Sequence, residues 1–148
     1  MYISTRFKIV LHLCGFLVLL YSLTMIPPML IALFAKERSV FAFFSTFVLA
    51  FSGGLLCWRA THQSKVNLET RDGFLIIVLF WLLFSAISAL PLWLNDELRL
   101  SIADALFEGV SGITTTGASV FHDVSSLPVS ILYYRAQLNF VGGLGVIV

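Results

Sequence analysis

The chain has 148 residues, of which 59% are hydrophobic and only 11% charged, with a formal net charge of +1 and a mean hydropathy of +0.97. Soluble domains carry about 25% charged residues, so the deficit excludes that class and points to an integral membrane protein with all-α spans. So small a net charge gives no support to nucleic-acid binding, and the nine Lys and Arg residues serve as topology markers instead.

Residues 1–8 carry the charge of a signal-peptide start, but no small-residue cleavage site follows and the apolar run is too long. The first span is therefore expected to remain as a signal anchor. Three stretches lack Lys, Arg, Asp and Glu: 27 residues over 9–35, 20 over 39–58 and 22 over 73–94. A bilayer-spanning helix needs about 20 apolar residues, so each stretch suffices alone. Pro27 and Pro28 fall inside the first. A helix interior loses a hydrogen bond at proline and gains a ring clash, so a kink or an early end is expected there. Little more than Lys36, Glu37 and Arg38 joins the first two stretches, which makes residues 1–60 an antiparallel transmembrane hairpin. Cys14 and Cys57 lie inside uncharged runs and read as small buried hydrophobes. His12 is expected beside a polar neighbour or the interface, and Trp58 and Trp93 as interface anchors.

Residues 61–72 form a polar loop with Lys65 and Arg71 against Glu69 and Asp72, directly after Arg59. Arg6 and Lys8 precede the first span, so the positive-inside tendency places this loop and the amino terminus together on the cytoplasmic side. The span at 73–94 then runs outward, and 95–101 lies outside.

The next segment is shorter. Ser101 and Asp104 have the spacing of a capping box, with Asp in place of the usual Glu. They open a helix over 101–112, roughly 15 Å long at 1.5 Å per residue, which enters a bilayer about 30 Å thick in its hydrocarbon core but cannot cross it. Then comes Ser111-Gly-Ile-Thr-Thr-Thr-Gly-Ala-Ser119. Its loop portion, 113–119, is too polar to face lipid and too Gly-rich to extend the helix. Non-helical backbone at membrane depth survives only when it is buried in protein or lines a watery cavity. Residues 120–127 return to the outer surface, with His122 and Asp123 at the mouth or in solvent. A last span, 127–148, starts beside Pro128 and is expected to be incomplete, cut in mid-span as in a fragment of a longer protein. Gly142, Gly143 and Gly145 would let it pack closely or bend.

A half-helix entering from outside aims its carboxyl end, with about half a negative charge, at the membrane centre. Carbonyls and hydroxyls of Thr114, Thr115, Thr116 and Gly117 could coordinate a dehydrated cation there, with Gly117 free to adopt positive φ. The competing interpretation is an ordinary polar turn or a small-residue packing face. Glu108 on the half-helix and Arg135 in the last span are charges at membrane depth. Anchoring the half-helix against the last span is the expected role of both, with ion contact as the alternative; direct pairing of the two is a further, secondary reading.

Residues 101–119, with Leu132-Tyr-Tyr-Arg135 and Asn139-Phe-Val-Gly-Gly-Leu-Gly145, resemble the first pore repeat of the Trk/Ktr/HKT superfamily of potassium transporters. Arg71-Asp-Gly-Phe-Leu75 and the preceding hairpin are similar to its bacterial TrkH/TrkG branch rather than to KtrB. The resemblance implies four helix–half-helix–filter–helix repeats around one pore, of which 73–148 would be the first. It makes Gly117 the central filter glycine and Thr115 and Thr116 the potassium-coordinating threonines, with Thr114 beside them. A serine at the glycine position goes with sodium permeation in HKT relatives, so Gly117 favours potassium. It further implies a bacterial inner-membrane location, channel-like or symport-type uptake, no cofactor, a cytosolic nucleotide-binding regulator similar to TrkA, and a homodimer of the full-length protein.

Two other functions compete with transport. An acyl-transfer enzyme would use Ser119, His122 and Asp123, but triads are defined by geometry and this spacing is too tight to presume it. A non-conducting membrane scaffold or assembly subunit is the remaining alternative.

Overall fold

The computed structural model describes residues 2–61 and 70–147. Of the loop expected over 61–72, residues 62–69 lie outside them, including Gln63, Lys65 and Glu69. The described residues form α1 (Tyr2–Leu23), α2 (Ile26–Phe34), α3 (Ser39–Ala60), α4 (Thr70–Trp93), α5 (Ile102–Ile113), a 3-10 turn η1 (Val124–Ser126) and α6 (Val129–Ile147). No strand occurs among them. Among the described residues, three segments are long and apolar enough to cross a membrane: Phe7–Phe34, Ser39–Ala60 and Arg71–Trp93.

The proline pair acts as its chemistry requires. Helix α1 stops at Leu23, and α2 begins at Ile26 with Pro27 and Pro28 in its first turn, where a missing N–H is harmless. Pro28 cannot donate to the carbonyl four residues back, on Thr24. Gln137 of α6 supplies the donor instead, its Nε2 lying 2.6 Å from that oxygen. Pro91, by contrast, is accommodated within α4, which continues to Trp93.

The α2–α3 turn is closed by Lys36 at φ +56 and by the Glu37 N–H donating to the Ala32 carbonyl at 2.9 Å. That turn directs the Glu37 carboxylate at the start of α6. There it accepts the Val129 N–H at 2.8 Å, the Ser130 N–H at 3.3 Å and the Ser130 hydroxyl. A helix amino terminus has four N–H groups without intrahelical partners and a positive dipole end, so a carboxylate is the natural cap. The buried Ser39 and Ser130 hydroxyls, 2.8 Å apart, complete the node. The 36–38 turn and the beginning of α6 therefore share one end of the bundle.

Helices α1 and α3 cross at Gly15 and Gly54. A Cβ on Gly15 would sit 2.8 Å from the Trp58 nitrogen, and one on Gly54 would sit 3.0 Å from the Gly15 carbonyl oxygen. Such small-residue crossings let backbones approach where lipid offers no hydrophobic drive. Near this crossing His12 stacks on Trp58 at 5.7 Å, and the Cys57 thiol donates to the Leu11 carbonyl at 3.2 Å. The core joins all the long helices: Tyr21 stacks on Phe84 at 4.2 Å, and Phe43 meets Tyr134 edge-on at 5.3 Å. The Tyr134 hydroxyl donates to the Ser88 carbonyl at 3.0 Å, satisfying a polar group that is otherwise sealed from solvent.

Candidate functional site

The short helix α5 begins at a local signal. Ser101 is its N-cap, in extended conformation, and its Oγ accepts the Asp104 N–H at 3.2 Å. In a full capping box the acidic side chain would reach back to the cap's own N–H. Asp104 is one methylene shorter than Glu and takes the Ser101 hydroxyl hydrogen instead, at 2.7 Å. Twelve residues make α5 about 18 Å long at 1.5 Å per residue.

Its sides are unusual. The buried face carries Ala105, Glu108, Gly109 and Gly112, whereas Ile102, Leu106, Phe107 and Val110 are exposed. The small residues explain the seating. A Cβ on Gly109 would stand 2.8 Å from the Ala89 nitrogen of α4, and one on Gly112 would stand 2.9 Å from Leu138 of α6. From the other side, a Cβ on Gly142 of α6 would run into the Ile113 carbonyl. Helix α5 is thus wedged between α4 and α6 at backbone distance.

The carboxyl end of α5 closes in a Schellman turn. Thr116 N–H donates to the Ser111 carbonyl at 2.9 Å and Thr115 N–H to the Gly112 carbonyl at 3.1 Å. The left-handed position of that turn, usually glycine, is Thr115 at φ +59. A β-branched residue there is strained by roughly 1–2 kcal/mol. Gly117 is the second left-handed residue, at φ +75, with open space where a Cβ would stand. Its glycine requirement is conformational rather than steric.

Residues Thr114, Thr115, Thr116 and Gly117 are all exposed, and their carbonyls accept no hydrogen bond from any described residue. Carbonyls farther along on both sides are engaged: Val110, a helical turn earlier, accepts the Thr114 N–H and hydroxyl, and Ala118 accepts the Ser111 hydroxyl at 2.6 Å. The Thr114 and Thr116 hydroxyls lie 2.9 Å apart. Four consecutive unpaired carbonyls with adjacent hydroxyls stand at the negative end of a helix, and oxygen atoms so placed are chemically able to ligate a hard cation.

Glu108 and Arg135 meet directly as an ion pair. Glu108 is 3% exposed. One carboxylate oxygen takes the guanidinium of Arg135; the other accepts the Ser119 hydroxyl at 2.7 Å and the Val120 N–H at 2.6 Å. Arg135 also lies over the Phe121 ring, 5.4 Å from its centroid. The sequence pointed to the two charges but not to Ser119 or Val120 as their partners. The available signal was a carboxylate with no neighbour of opposite charge on its own helix.

Ser119, His122 and Asp123 are not assembled for acyl transfer. The Ser119 hydroxyl is held by Glu108, and Asp123 accepts the Ser125 hydroxyl and N–H at 2.5 and 3.0 Å. These Ser125 bonds pull the exposed Asp123 carboxyl below its ordinary range.

Similarity to known proteins agrees with this geometry. The family model described as "TrkH: Cation transport protein" matches residues 39–148. The chain is 63% identical over 145 residues to the Trk system potassium uptake protein TrkG of Escherichia coli K12, and 42% identical over 143 residues to TrkH of the same strain. These alignments cover 98% and 97% of the chain but 30% of each relative. The crystal structure of the potassium transporter TrkH from Vibrio parahaemolyticus superimposes with a TM-score of 0.90 at 39% identity, covering 95% of this chain and 30% of that one. The chain therefore spans about a third of the length of the relatives it matches and is an all-helical, multi-pass membrane segment. It belongs to the TrkH family of cation transport proteins.

Proposed function

We propose that the chain is the amino-terminal part of the pore-forming subunit of a bacterial Trk-type potassium uptake system in the inner membrane, and that residues 114–117 supply one strand of its selectivity filter. The observation that carries this is the run of exposed, unpaired carbonyls from Thr114 to Gly117 at the carboxyl end of a short buried helix. Carbonyl oxygens held by the backbone replace the hydration shell of a potassium ion, and the helix dipole stabilises the cation. Residues 1–60 act as a hairpin that braces the repeat formed by 73–148. The amino terminus and the connection between α3 and α4 face the cytoplasm, the last three residues of the expected 61–72 loop being the first turn of α4, and a nucleotide-binding regulator similar to TrkA docks there on the full-length dimer. A non-conducting scaffold has no observation of its own in favour.

Gly117→Ser in the full-length subunit tests the filter. A side chain at φ +75 pushes the strand from a conformation that glycine adopts cheaply. Potassium-over-sodium discrimination should fall more than membrane protein level. Thr115→Ala and Thr116→Ala should weaken potassium uptake less severely. A Gly117→Ser protein of normal abundance and unchanged ion preference would remove 114–117 from the filter. The same uptake assay in cells without a TrkA-like protein tests the regulator, which unaltered transport would eliminate.

A further inference from the structure

We propose that Glu108 is a positioning residue for the outer half of the filter strand, acting through Ser119 and Val120, and that Arg135 serves to hold its carboxylate in place. This rests on the assignment of 114–117 as a filter strand.

The geometry separates this role from simple helix anchoring. Helix α5 is already fixed to its neighbours by backbone-distance crossings at Gly109 and Gly142 and by the close seat of Leu138 on Gly112, none of which involves a charge. An ion pair is not needed to hold it there. The Glu108 carboxylate instead divides its two oxygens. One faces Arg135 of α6, and the other receives two donors from the chain just beyond Gly117, Ser119 Oγ at 2.7 Å and Val120 N at 2.6 Å. Ser119 Oγ in turn accepts the Phe121 N–H at 3.1 Å, so three successive residues are tied to one buried carboxylate. On the near side, the Ser111 hydroxyl fixes the Ala118 carbonyl at 2.6 Å. Residues 118–121 are therefore held from behind, whereas 114–117 carry no hydrogen bond on their carbonyls. The orientation of those free carbonyls follows from where the strand is tied at its two ends: the Schellman turn at Ser111 and Gly112, and the Glu108 clamp. Charge-assisted bonds to a carboxylate are shorter and stronger than neutral ones, which suits a clamp on a strained strand.

The expected consequence is a selectivity effect from residues that never touch the ion. In the full-length subunit, Ser119→Ala removes the Ser119 tie to Glu108 and with it the Phe121 tie to Ser119, while leaving the Val120 tie, the Glu108–Arg135 pair and every glycine crossing intact. At parental membrane level it should lower the ratio of potassium to sodium uptake by about three- to tenfold, the scale of one ordinary net hydrogen bond, since Val120 stays on the same carboxylate oxygen. Ser119→Thr keeps a hydroxyl and should restore most of the ratio. Glu108→Gln turns an amide N–H toward Arg135 or toward the two loop donors, and should lower the ratio further, measured per molecule of protein in the membrane. Ser119→Ala and Glu108→Gln proteins with the parental ratio, whatever their abundance, would overturn the proposal. Gly117→Ser in the same series separates the two ideas. If it shifts the ratio while Ser119→Ala does not, the positioning role alone fails; if neither shifts it, the filter assignment fails and the positioning role falls with it.

Discussion

At the scale of single residues, the membrane charges are the most consequential. Arg135 and Glu108 are complementary, and each removes the other's need for solvent. Breaking a buried pair by deleting one partner costs about 3–5 kcal/mol, because the survivor is left uncompensated. Arg135→Ala should therefore act mainly through folding: the quantity of protein recovered from the membrane drops sharply, and the potassium-to-sodium ratio of the remainder changes less than in Gly117→Ser. Quantitative immunoblotting alongside uptake checks this; a normal level of Arg135→Ala protein would contradict it. The two membrane-depth charges were legible in the sequence as candidates for pairing with each other, whereas the Ser119 and Val120 donors were not. Composition shows that Glu108 needs a donor, but the donors lie 11, 12 and 27 residues away, at Ser119, Val120 and Arg135.

At the scale of elements, glycine decides which helices touch. Gly142 of α6 faces the Ile113 carbonyl of α5 so closely that a Cβ would stand 2.6 Å from the carbonyl carbon. That obstacle is backbone and cannot rotate away. Gly53 of α3 has open space in the same position. Gly142→Ala should lower the melting temperature of the detergent-solubilised protein, with an overpacking penalty of about 1–3 kcal/mol. Gly53→Ala should be neutral or stabilising by up to about 1 kcal/mol, the ordinary helix preference for alanine. Equal behaviour of the two variants would show that the α5–α6 crossing does not depend on backbone contact. The cluster Gly142, Gly143 and Gly145 suggested close packing or a bend from the sequence; only the fold singles out Gly142 as the contact.

At the scale of the whole molecule, the exposed faces are apolar. Phe34 is 82% exposed, Phe41 72% and Leu56 70%, and α5 shows a stripe of large apolar side chains outward. Lipid and further protein are the two surroundings in which such faces are stable. The Glu37 cap on α6 places the 36–38 turn at the end of the bundle where α6 starts. With Ala60 at the other end of α3 from that turn, the proposed orientation makes Asn95 and His122 external and Gln63 cytoplasmic. Single cysteines introduced at Asn95 and at Gln63 in a background lacking Cys14 and Cys57 should react with an impermeant thiol reagent from outside only at Asn95. Labelling confined to Gln63 would invert the topology.

The amino-acid sequence by itself determined the membrane class, the long spans, the break at Pro27 and Pro28, and the capped short helix from Ser101. Each follows from local quantities: run length against bilayer thickness, the missing proline N–H, and the reach of a serine hydroxyl to an N–H three residues on. The tertiary structure decided which distant groups complete them. Gln137 answers the carbonyl that Pro28 orphans on Thr24, 113 residues away, and Glu37 caps a helix 92 residues later. Glycine crossings bring the backbones together, and only then does a buried polar group find the partner it requires. Local chemistry states that such a partner must exist; chain geometry alone chooses it.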